Sequence, residues 1–82
     1  MIILDSARKH GISDEDIILI VDEADVAVEI RTEPLKLLFL GFDSKARALE
    51  VITDTGEDGE VYAIHADKMT KQYEALLKET LE

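Results

Sequence analysis

Apolar side chains return at every third or fourth position from Ile17 through Ile20 and Val21 to Ala24, the spacing of a single buried stripe on a helix. Asp22, Glu23 and Asp25 face water on this reading, and Ile18 and Leu19 widen the apolar face. Ser13 stands where its hydroxyl can accept from an exposed amide of the first turn. Asp14, Glu15 and Asp16 follow it at the positive end of the helix dipole. A shorter helix is predicted before this one, from Ile3 to His10, with Leu4 and Ala7 on one face and Gly11 as its stop.

At Val26 the period changes to two. Val26, Val28 and Ile30 alternate with Ala27, Glu29 and Arg31, as a half-buried strand requires, until Pro34 interrupts with no amide to donate. Leu35 to Phe42 is almost continuously apolar and suits a central strand covered on both faces. After a turn at Gly41 to Lys45, residues Arg47 to Thr53 return as a third strand, with Leu49 and Val51 alternating with Glu50 and Ile52. Asp54 to Gly59 is a second hairpin turn, and Glu60 to Ala66 a fourth strand. Tight turns between successive strands make them antiparallel neighbours. From Asp67 to Glu82 the helical period resumes through Met69, Tyr73, Leu76, Leu77 and Thr80. The pattern therefore predicts an α+β fold in a single domain, residues 1–82. Two N-terminal helices come first, then a four-stranded antiparallel meander sheet and a C-terminal helix packed on the sheet (α-α-β-β-β-β-α).

Composition narrows the function classes. With 82 residues and no cysteine, disulfides and thiolate zinc sites are excluded together. The start, Met1 to Asp5, has too few apolar residues before its first charge for a signal peptide. No apolar run approaches the ~18 residues of a membrane span, so a cytoplasmic location and no membrane partner are expected. Nineteen acids against nine bases give a net charge of −10, which repels nucleic acid at long range; solubility is the plain explanation of such a charge, and a basic protein partner the sharper alternative. The run Leu37 to Leu40 with Phe42 exceeds what so short a chain readily covers, which raises the expectation of a homodimer.

No phosphate loop, paired metal-binding histidines or nucleophile motif is present, and no cofactor or metal is expected. Candidate chemistry rests on a few bases. Lys9 and His10 close the first helix beside Arg8, where the dipole alone favours positive charge. His65 lies at a strand end, where an imidazole can serve as acid or base, although a surface or hydrogen-bonded histidine is the commoner occupant of such a place. Lys68 and Lys71 share a face in the predicted last helix and oppose its dipole. Arg47 reads as a solvated hairpin residue and Tyr73 as core.

Two segments resemble the BrnT-like toxins of bacterial type II toxin–antitoxin pairs, compact relatives of the RelE/ParE ribonuclease toxins. They are Arg8-Lys9-His10-Gly11-Ile12-Ser13-Asp14-Glu15 and Ile64-His65-Ala66-Asp67-Lys68-Met69-Thr70-Lys71. Arg47-Ala48-Leu49-Glu50-Val51 stands where that family has a strand. The resemblance implies the same element order, an RNA substrate and a DNA-binding antitoxin as partner. It nominates Lys68 and Lys71, with Lys9, His10 and Arg47, for RNA phosphate binding or catalysis. His65, from its strand-end position and not from the resemblance, joins Lys68 and Lys71 as the catalytic candidate for acid or base. The chain departs from the family pattern where His65 replaces a serine, Asp67 an arginine, and Gln72 and Tyr73 part of a basic run. Fewer cations mean fewer phosphate contacts, so the basic site is weakened. The expected function is a toxin-like, metal-independent endoribonuclease. The alternative is a non-catalytic interaction protein that binds a basic partner through its acidic surface.

Overall fold

The computed structural model describes residues 1–81. Strand β1 (Ile2–Ile3) is followed by a single 3-10 turn (Asp5–Arg8), helix α1 (Asp14–Glu23), strands β2 (Val26–Thr32), β3 (Leu35–Phe42), β4 (Ala48–Thr55) and β5 (Val61–Lys68), and helix α2 (Lys71–Leu81). The sheet is five-stranded in the order β1-β5-β4-β3-β2. The pairs from β2 to β5 are antiparallel, and β1 is parallel to β5.

This corrects the predicted α-α-β-β-β-β-α order in three places. The first helix does not form: Leu4 is extended, its amide donates to the Ala63 carbonyl at 3.0 Å, and only one 3-10 turn follows. Eight residues make a marginal helix, whereas the open edge of β5 offers ladder hydrogen bonds at once. The sheet is accordingly mixed and five-stranded, not a four-stranded antiparallel meander. The closing helix starts at Lys71 and not at Asp67, because Asp67 and Lys68 still pair with Glu50 and Leu49 of β4. Met69 then bonds the Ala48 carbonyl before the chain leaves the sheet.

Helix α1 begins where its acids and cap place it: the Asp16 amide donates to Ser13 Oγ at 3.2 Å. Its buried Ile17 and Ile20 join Ala7, Ile12, Leu49, Val51, Ala63 and Ala66 on one face of the sheet. The opposite face carries Val26, Leu38, Leu40, Met69 and Leu77, with Val28, Ile52, Tyr73 and Leu76 packed around them under α2. The sheet is thus the middle of three layers, and strand alternation assigns each side chain to one of two cores. Leu38 and Leu40 are buried and Leu37 and Phe39 half-buried, which leaves Phe42 as the exposed member of the run behind the homodimer expectation. Among the described residues no helix is long and apolar enough to cross a membrane.

Candidate functional site

A β-bulge decides where His65 points. Ile52 pairs with His65 but Thr53 pairs with Ala63, so Ile64 is an extra residue in β5. One added residue turns over the face of everything beyond it. Ala63 and Ala66 therefore both reach the α1-side core, while His65 and Asp67 share the α2 side with Glu50 and Ile52. The carbonyl of Ile64 accepts from Ser6 Oγ at 2.7 Å, so the 3-10 turn is stitched to the bulge itself. That stitch carries His10, two residues past the turn, over the edge of β5.

Four side chains meet there. Glu50 is buried, its side chain only 4% exposed, and its two oxygens are divided between two donors. Oε1 accepts from the Thr70 amide at 2.7 Å, just ahead of α2, and Oε2 lies 2.8 Å from His65 Nε2. His10 Nδ1 lies 3.6 Å from Asp67 Oδ2. The two imidazoles face each other edge to face with centroids 5.7 Å apart, and both are part-exposed. Each ring thus has its own carboxylate and its own access to solvent.

The sequence-nominated residues separate into distinct groups. His65 and His10 come together. Lys68 pairs with Leu49, whose side chain belongs to the α1-side core, so Lys68 projects from the face opposite His65. Lys71 is exposed as the first residue of α2, and Lys9 is exposed beside His10. Arg47 is committed elsewhere. Its Nε bonds Asp43 Oδ2, and its Nη2 lies 3.4 Å from Asp16 Oδ2, tying the β3–β4 loop to α1. All three arginines are held by acids of this chain: Arg8 by Asp14 and Asp5, Arg31 by Asp54 at 2.8 Å, and Arg47 as above.

Asp43 anchors that loop. Its side chain is fully buried, and burial would raise its carboxyl, but the amides of Arg47 and Lys45 and the Arg47 guanidinium outweigh this and hold it below the usual carboxylate range. Asp14 is also lowered, chiefly by its hydrogen bond to Arg8. Neither belongs to the histidine cluster.

Glu50 and Asp67 were not among the sequence candidates. Glu50 shares strand parity with Ile52, and a face that bears Ile52 under a closing helix is covered; that parity was the available signal. Asp67 had no such signal, since its place depends on the bulge. A groove of about 440 Å³ lies nearby between α2 and the end of the β3–β4 hairpin, but Phe42, Ala48, Met69, Leu77 and Leu81 make it largely apolar. Among the described residues no cluster of three or more acids or histidines is arranged to hold a metal ion. Comparison of the chain with family models, with curated proteins and with solved structures finds no match.

Proposed function

We propose that this chain is a toxin-like endoribonuclease that cleaves RNA by acid–base catalysis, with His65 and His10 as the proton-transfer pair. One observation supports the reading above others: two part-exposed imidazoles lie 5.7 Å apart, each beside its own carboxylate. Cleavage by the neighbouring 2′-hydroxyl needs a base to take the hydroxyl proton and an acid to protonate the departing 5′-oxygen. Imidazole does both near neutral pH. The products are a 2′,3′-cyclic phosphate and a free 5′-hydroxyl, with no water consumed in the first step. Lys9 and Lys71 supply positive charge for the phosphate, and Lys68 contributes only at long range. The resemblance of Arg8 to Glu15 and of Ile64 to Lys71 to the BrnT-like toxins supports a ribonuclease through Lys9, His10 and Lys71, while His65 stands where that family has a serine and rests on the geometry alone.

The test is direct. Purified protein incubated with a mixed RNA substrate should yield fragments ending in cyclic phosphate, and expression in a bacterial host should arrest growth. His65→Ala and His10→Ala should each lose ~10²–10⁴-fold in rate, the usual share of general acid–base catalysis. Wild-type protein that neither cleaves RNA nor arrests growth rules the reading out.

A second reading has its own support. With all three arginines neutralised internally and a net charge of −10, the surface favours a basic protein over a phosphate backbone. A DNA-binding antitoxin is such a partner, and it fits a toxin as well as a non-catalytic relative. Binding that weakens with salt in the absence of any nuclease activity would select the non-catalytic form.

A further inference from the structure

We infer that Glu50 is the positioning residue of this site and that it sets the tautomer of His65. The inference deepens the proposed ribonuclease reading and rests on it for its catalytic consequence, but its structural content stands apart. A carboxylate oxygen can only accept, so the 2.8 Å contact requires the proton on His65 Nε2 and leaves the lone pair of the neutral ring on Nδ1. The other oxygen is not available to relax this arrangement. It is occupied at 2.7 Å by the Thr70 amide, a donor fixed by the backbone at the start of α2. The Glu50 side chain is buried, which limits the access of water to its oxygens and strengthens both bonds. The imidazole is therefore held in one ring orientation, presenting a basic nitrogen on its unbound side. The neighbours of the pair are Asp67 on the same strand and His10 from the segment after the 3-10 turn, itself beside Asp67.

The division of the two oxygens makes a sharp prediction for Glu50→Gln. The Thr70 amide N–H donates and needs an acceptor, so the glutamine oxygen must take the Oε1 place and its NH2 group must face His65. Nε2 then has to accept, and the neutral ring moves its proton to Nδ1. Shape and both hydrogen bonds survive while the presented nitrogen changes from base to donor.

Nitrogen-15 NMR of the imidazoles, recorded at a pH high enough to deprotonate them and assigned through His10→Ala, reads this without any activity. Wild-type His65 should show the proton on Nε2 and Glu50→Gln should show it on Nδ1. A wild-type ring protonated on Nδ1, or a ring unchanged by Glu50→Gln, overturns the inference. In the cleavage assay Glu50→Gln should lower kcat by ~10²–10⁴-fold with KM nearly unchanged, since substrate contacts are intact. If wild-type protein cleaves nothing, the ribonuclease reading fails while the tautomer measurement still decides the role of Glu50. If the tautomer switches and kcat does not fall, Glu50 orients a ring that does no proton transfer, and its assignment as the positioning residue of catalysis is lost.

Discussion

Glu50 and His65 stand diagonally across the β4–β5 ladder, two residues out of direct register on the same face, and close to 2.8 Å because the Ile64 bulge turns His65 toward the α2 face. The carboxylate binds the ring and the Thr70 amide at the same time, so the candidate site and the start of α2 share one buried anchor. Replacing Glu50 by Ala strips both donors of their partner. The expected cost is about 1–3 kcal/mol, mainly from the Thr70 amide left without an acceptor, read as a lower urea midpoint with unchanged slope.

Acid should expose the role of Asp43. Its folded-state carboxyl is held below the usual range against the burial that would raise it, so its contribution is complete above the unfolded value of ~3.9 and is lost as pH falls through the folded one. Asp43→Asn should be less stable than wild type at neutral pH. The gap should narrow as the medium is acidified below about pH 4, because wild type then forfeits what the variant never had. Urea midpoints across that window check it; a constant gap would deny the carboxylate its part.

The two faces of the sheet carry separate cores, and each should register independently. Leu49 on the α1 side and Leu40 on the α2 side are both fully buried. Either truncated to Ala should cost ~2–5 kcal/mol, and the double variant should show close to additive loss because the sheet lies between them. Strong coupling would mean that the layers share more than the backbone.

Lys68 and His65 are three residues apart in sequence but project from opposite faces. Lys68→Ala should leave the cleavage rate close to wild type while His65→Ala lowers it by ~10²–10⁴-fold. Equal losses in a cleavage assay would show that the lysine reaches the reacting phosphate.

Ala46 sits at φ 61° in the β3–β4 loop, a left-handed conformation that costs a residue with a Cβ about 1 kcal/mol. Ala46→Gly should relieve part of this and raise the melting temperature, since the Asp43 hydrogen bonds to the Lys45 and Arg47 amides hold the loop in shape regardless. A lower melting temperature would mean that glycine's greater freedom in the unfolded chain outweighs the strain.

Helix α1 and the strand periods were legible because their signals are local: a stripe at Ile17 and Ile20, a serine followed by three acids, alternation from Val26. His65 and His10 were legible as chemistry, since imidazoles at element ends are few in so short a chain. Their meeting was not, and neither was Glu50. Alternation alone leaves a charged residue between Leu49 and Val51 on the side away from that core, and only the packing of α2 shows that side to be covered. The expected helix from Ile3 to His10 misled because its few apolar residues fit a helical face, yet the edge of β5 supplied hydrogen bonds that an isolated turn cannot match. By itself the sequence determined which residues could be buried, where α1 begins and which side chains could move protons, for those depend on spacing and residue type. Tertiary structure decided the parallel edge strand, the bulge and the diagonal between Glu50 and His65, because each depends on hydrogen-bond partners that lie far apart along the chain.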